Sequence, residues 1–186
     1  MNIEEEFLNN VVEDKIKSTR KKGINSKVKG NSNELELVHI LNKRFPNYTF
    51  ARSVASGAYT GGMNQSRAES LTNEQKLVFA GDIRVPTNFK FTIEHKAYAK
   101  ASFWDLFNKS SDLYKWYEQS NTDAKNINKE PMLIVKYNNH KRIVFFNIDY
   151  LVSHKAPKPI FIHENKGCYW LEDALCWEDS FFFDEK

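Results

Sequence analysis

Three ionisable residues, Asp82, Glu94 and Lys96, could together do chemistry. A strand over 90–96 alternates its side chains between two faces, so Phe91, Ile93 and His95 point one way and Lys90, Thr92, Glu94 and Lys96 the other. Glu94 and Lys96 then share a face, about 7 Å apart along the strand. Asp82 falls on the preceding strand of the same hairpin and can stand beside Glu94. Two neighbouring carboxylates repel unless one protonates or a cation lies between them. Oxygen ligands on two short acids suit Mg²⁺, which keeps several waters and accepts phosphate oxygens. Such an ion polarises a phosphate and lowers the pKa of its bound water. A lysine at the rim can orient the attacking water and offset charge on a pentavalent phosphorane. The backbone carbonyl of His95 is placed to add a ligand. Glu34, on a helix packed against the sheet, can hold a metal-bound water or a second ion. A Glu-x-Lys pair in a strand also arises by chance. More specific is the ordered set of helix Glu, strand, glycine loop, Gly-Asp at a strand, then an apolar run into Glu-x-Lys.

The elements that must position these groups can be read from spacing. Ser32 and Asn33 are good N-cap types, and Pro46 ends a helix that runs to Phe45. Positions 34, 38, 41 and 45 lie on one face and 36, 39 and 43 on the opposite, polar face. Residues 48–54 read as a strand, and 55–71, with Gly57, Gly61 and Gly62, as a long loop. A second strand spans 77–85, a turn falls at Pro86-Thr87-Asn88, and a third strand spans 90–96. Ser102 is expected to cap a helix with Asp105 three residues later resembling a capping box, and Phe103, Leu106 (or Phe107), Leu113 (or Tyr114) and Tyr117 on its apolar face. Residues 132–137 and 143–148 read as strands around an Asn138-Asn139 turn. Residues 3–22 are expected to form a helical arm whose apolar stripe fades into a basic run.

Charge is unevenly distributed. The 186 residues carry a formal net charge of only +3. Residues 15–29 hold seven basic and no acidic side chains, residues 31–163 hold 18 basic and 12 acidic, and residues 164–186 hold seven acidic and two basic. An acidic, aromatic C-terminal stretch thus masks a basic body suited to phosphate backbones. The expected organisation is a basic arm over 1–28, a core over 29–150 and an extension over 151–186 that packs on the core or on a partner chain. No apolar run approaches the roughly 18 residues of a membrane span, and Glu4, Glu5 and Glu6 stand where a secretory signal carries positive charge. Two cysteines without CxxC spacing exclude a disulfide scaffold and a structural zinc site. The glycine loop lacks a GK[ST] ending and no GxGxxG opens a helix, so no nucleotide cofactor is expected. A cytoplasmic setting follows, the host cytoplasm if the chain is phage-encoded.

The five histidines show neither HxxxH nor HExxH spacing and read as structural or surface residues. Tyr59, Trp104 and Trp116 are candidates to stack on unpaired bases, with Tyr59 on the loop the best and Trp116 better suited to the core. Lys29, Lys43, Arg44, Arg52, Arg67 and Lys100 are candidate phosphate contacts.

The chain resembles the PD-(D/E)xK nuclease superfamily, and within it the archaeal-type and phage Holliday junction resolvases. Lys29-Gly30-Asn31-Ser32-Asn33-Glu34-Leu35-Glu36-Leu37-Val38 is similar to their Lys-Gly-x-x-x-Glu-Arg-Glu-Leu-(Val/Ile) signature. Arg52-Ser53-Val54-Ala55-Ser56-Gly57 resembles their Arg-x-x-(Ala/Gly)-Ser-Gly stretch, and Gly81-Asp82-Ile83 and Ile93-Glu94-His95-Lys96 resemble the metal-binding Asp and the Glu-x-Lys. Residues 131–136 resemble the later core strand. The likeness covers roughly residues 29–147; the stretch from Ser56 to Asp82 is longer than usual, and residues beyond 150 have no counterpart.

The resemblance implies a restriction-endonuclease-like α/β fold, a mixed central sheet flanked by helices with an αβββαβ core. It implies metal binding by Glu34, Asp82 and Glu94, catalysis by Lys96 with support from Ser56, and Mg²⁺ (or Mn²⁺) as cofactor. Lys29, Arg52, Ser56, Tyr59, Arg67 and Lys100 are the expected DNA contacts. The expected activity is symmetric nicking of four-way DNA junctions by a homodimer, whose two-fold axis matches that of the junction. The alternatives are a restriction-type, flap or fork endonuclease of the same superfamily, a non-catalytic DNA-binding protein of this fold, and, more remotely, a toxin or anti-restriction factor.

Overall fold

The computed structural model describes residues 30–53, 80–98, 108–109 and 111–184. The chain divides into two units, Met1–Asn33 and Glu34–Lys186. Of the first, residues 30–33 are described, all of them helical. The second, Glu34–Lys186, carries the sheet.

That unit opens with helix α1 (residues 34–44), and Phe45 and Pro46 lie just past its end. Its buried stripe is Leu37, Leu41 and Phe45, an unbroken i, i+4 series. Leu37, rather than the expected Val38, leads that stripe; Val38 is partly buried beside it. Two short strands follow, β1 (Ala51–Arg52) and β2 (Ile83–Arg84), then the longer β3 (Phe91–Tyr98). The strand expected over 77–85 is therefore confined to two of its described residues. The cause is Gly81, whose φ of +70° turns the chain sharply ahead of Ile83.

Helix α2 (Asp112–Lys125) links β3 to β4 (Glu130–Tyr137), which runs parallel to it. Such a pair requires a crossover, and α2 supplies it. The Ser111 hydroxyl caps α2 by accepting from the Tyr114 N–H at 3.3 Å. The helix start expected at Ser102 lies outside the described residues, as does the 55–71 loop. Strand β5 (Arg142–Asn147) returns antiparallel after a turn in which Asn139 takes φ +61°. The remaining elements are α3 (Ile148–Ser153), β6 (Phe161–His163), β7 (Lys166–Trp170), α4 (Leu171–Ala174) and α5 (Asp179–Phe182).

The seven strands form one mixed sheet in the order β1-β2-β3-β4-β5-β7-β6. Helix α1, the first three strands, α2 and β4 reproduce the αβββαβ order of a restriction-endonuclease-like fold. Alternation along the central strands sends Phe91, Ile93, Met132, Ile134, Val144 and Phe146 to one face, under α1. Leu133, Val135 and Phe145 go to the other, under Leu113 and Tyr117 of α2. Residues beyond 150 contribute to the same body: β6 and β7 extend the sheet, and Phe181, Phe182 and Phe183 are buried in the α1-side core. The Phe182 carbonyl accepts the Lys90 N–H at 2.8 Å, and the Tyr150 hydroxyl donates to the Phe181 carbonyl at 2.6 Å. No helix among the described residues is long and apolar enough to cross a membrane.

Candidate active site

The β2–β3 hairpin builds the site. Asp82 lies one residue before β2, and its backbone is tied on both sides. Its N–H donates to the Ile93 carbonyl at 2.9 Å, and its own carbonyl accepts the Ser53 N–H at 2.9 Å. The hairpin approaches so closely that a Cβ added at Gly81 would stand 2.5 Å from the Ile93 carbonyl oxygen. Glycine is thus required immediately before Asp82, for space as well as for φ.

With the backbone fixed, the Asp82 carboxylate swings over β3. Its Oδ2 accepts the His95 N–H at 2.9 Å. Lys96 Nζ reaches the same Oδ2 at 3.9 Å and Glu94 Oε1 at 2.5 Å. One ammonium therefore touches both acids, and the two oxygens lie no further apart than those contacts laid end to end. Asp82 and Glu94 are 8% and 5% exposed, so their charges are largely withdrawn from water. Burial, with Asp82 beside it, pushes the Glu94 carboxyl up to about 7, against the pull of Lys96. Burial alone would lower Lys96, but Glu94 and Asp82 outweigh it and hold its pKa above the ordinary lysine value.

Glu34 joins from α1. Its Oε2 lies 2.9 Å from Arg52 Nε on β1, and burial and then Asp82 raise its pKa while Arg52 and Lys96 oppose the rise. The site is thus composed of three carboxylates and two cations drawn from α1, β1, the β2 approach and β3.

His95 turns its ring to the opposite face of the sheet, where it is 5% exposed. Burial, and then the Arg142 charge, depress its pKa to about 4, so the ring is neutral. Arg52 is not an unencumbered phosphate contact, because it is already paired with Glu34. Arg44 is likewise engaged, with Asp179 at 2.7 Å and the carbonyls of Leu175 and Trp177. Trp116 packs on Tyr98 with ring centroids 4.4 Å apart. Lys29, Ser56, Tyr59, Arg67, Lys100 and Trp104 lie outside the described residues.

Asp123 on α2 escaped the sequence reading. Burial first, then Asp82, raises its pKa, Lys96 opposes the rise, and Asp123 in turn raises Glu94. The available signal was its place next to Ala124 on the Tyr117-Ser120-Ala124 stripe that α2 lays against the sheet.

A family described as "phage putative PDDEXK endonuclease" matches residues 25–166. The chain belongs to this family. No curated protein and no solved structure matches the chain. PD-(D/E)xK enzymes are nucleases, and divalent metals are their usual cofactors. The donor set here fits such an ion in its chemistry: hard carboxylate oxygens, buried, with one ammonium shared between two acids and Glu94 still held far above the usual carboxylate range. Among the described residues no three Asp, Glu, His or Cys side chains are gathered closely enough to hold an ion, and the Lys96 ammonium contacts both Asp82 and Glu94. An ion held by Asp82 and Glu94 would take the place of that ammonium.

Proposed function

We propose that this PD-(D/E)xK nuclease is a Mg²⁺-dependent endodeoxyribonuclease that resolves four-way DNA junctions by paired nicks, acting as a homodimer. The observation that carries the catalytic part is the contact of the Lys96 ammonium with both Asp82 and Glu94 at the mouth of the β2–β3 hairpin. Junction specificity and the dimer rest on the likeness of the Lys29–Val38, Arg52–Gly57 and Glu-x-Lys segments to junction resolvases. Asp82 and Glu94 would hold the ion, with the His95 carbonyl as a further oxygen and Glu34 on a bound water.

When bound, the ion would supply Lewis acidity toward a phosphate oxygen and a more acidic water. The chain's own residues do the rest. Lys96 keeps its proton and, once displaced from the acids, directs its N–H bonds at the attacking water and at charge growing on the phosphate. The His95 N–H fixes one Asp82 oxygen, leaving the other to point outward. Glu34 carries a pKa raised by burial and by Asp82, which suits it to take a proton from a bound water.

The family description names an endonuclease without a substrate, and cleavage of duplex or flap DNA is the second reading it accommodates. The test is cleavage of synthetic junction, flap and linear duplex with Mg²⁺ against Ca²⁺, using wild type and Glu94→Ala. Paired symmetric nicks in the junction, present with Mg²⁺ and lost in the variant, support the resolvase. Cleavage of duplex or flap alone supports the second reading, and wild type that cuts none of them overturns both.

A further inference from the structure

The site's cations are already spent within it. Lys96 is shared by Asp82 and Glu94, and Arg52 is held by Glu34 at 2.9 Å. The Arg52 side chain is 35% exposed and that of Glu34 20% exposed, so the pair lies at the boundary between the site and solvent. A guanidinium bound to a carboxylate has little net charge to offer a phosphate. The neighbouring Arg84, exposed on β2 opposite Ala51, makes no ion pair among the described residues. One of two adjacent arginines at this sheet edge is therefore masked by an acid of the site, and the other is not.

We propose that Arg52 is a phosphate ligand unmasked by metal. The Glu34–Arg52 ion pair neutralises the guanidinium until a divalent cation engages Glu34, and the freed charge then takes a DNA phosphate. This rests on the reading of Asp82, Glu94 and Glu34 as a divalent-cation site. It makes cation and DNA binding mutually reinforcing through one named side chain, and the coupling must be reciprocal. It also separates two roles for an arginine at this position. A strut that only positions Glu34 would help the ion to bind, whereas a masking partner competes with it.

The two roles predict opposite signs. Calcium titrated calorimetrically into the full chain without DNA should bind Arg52→Gln about two- to fivefold more tightly than wild type, the range expected for losing a half-exposed competing ion pair. Arg84→Gln, which removes the same charge from the same edge, should shift that affinity less, and Glu34→Gln should weaken it. Binding to a synthetic four-way junction and to a linear duplex is then measured across salt concentrations. In Ca²⁺, Arg52→Gln should lower the salt slope by about one phosphate contact; in EDTA its slope should equal that of wild type. Arg52→Lys, which keeps the charge, should restore the slope in Ca²⁺. Weaker Ca²⁺ binding in Arg52→Gln would overturn the proposal in favour of a strut. An equal loss of slope with and without Ca²⁺ would overturn it in favour of a permanent contact. If wild type takes up no Ca²⁺, the cation reading of the site falls and the proposal with it; if Glu34→Gln leaves uptake unchanged, the proposal alone falls.

Discussion

Replacing Glu94 with glutamine should stabilise the metal-free protein while abolishing cleavage. In the folded chain burial and Asp82 raise the Glu94 carboxyl from the ordinary 4.5 to about 7. A folded-state pKa above the unfolded one means that the folded state binds the proton more tightly. The cost of ionising Glu94 is therefore absent below about pH 4.5, grows between pH 4.5 and 7, and is fully present above pH 7. A gap of that size corresponds to about 3 kcal/mol. Glutamine keeps the shape without the charge, the pull of Lys96 on Glu94 is already counted in that gap, and Asp82 remains beside the ammonium at 3.9 Å. The expected gain is about 1–3 kcal/mol at pH 8. Urea denaturation in EDTA at pH 8 and pH 4.5, wild type against Glu94→Gln, measures it. The gain should appear at pH 8 and vanish at pH 4.5. A variant less stable than wild type at pH 8, or a difference that ignores pH, would refute the view that charge crowding is stored at this hairpin.

Three other predictions follow from particular contacts. Gly81→Ala should cost about 1–3 kcal/mol in urea denaturation, because φ +70° and the 2.5 Å approach to Ile93 both exclude a methyl, and cleavage should fall further as Asp82 moves. Phe182→Ala should cost about 3–5 kcal/mol in the same assay, since that ring is fully buried and stacks with Phe89 at 6.3 Å. A thiol reagent at pH 8 should label one cysteine quickly, Cys176; Cys168 is 1% exposed, and burial pushes its thiol up to about 12, so mass mapping should find it modified only after denaturant is added.

The site was largely legible in sequence because its chemistry is local. Period-2 alternation puts Glu94 and Lys96 on one face of β3, and a tight hairpin forces Asp82 alongside. Helix α1 was legible at its end and along its face, from the proline after Phe45 and the apolar spacing before it; its expected start at Ser32 or Asn33 was not, since residues 30–33 are already helical. What escaped is non-local. The Glu34–Arg52 pair joins residues on separate elements, and nothing in the spacing of α1 and β1 says that they meet. Asp123 looks like a solvated helix acid until α2 is laid on the Glu94 face of the sheet. Strands β6 and β7 were hidden because they are three and five residues long and their turn places Glu164, not glycine or asparagine, at φ +51°. The expected second strand was too long because a run of apolar residues gives no sign of where Gly81 will turn the chain.

In the proposed mechanism Asp82, Glu94 and Lys96 act together on a DNA phosphodiester. Single-turnover cleavage of a labelled junction and a labelled duplex with Mg²⁺, comparing wild type with Asp82→Asn, tests it most directly. The expected result is cleavage by wild type and at least about a hundredfold slower cleavage by the variant at unchanged DNA affinity in EDTA, the loss of several kcal/mol of transition-state stabilisation. Equal rates for the two proteins, or no wild-type cleavage of either substrate, would contradict it.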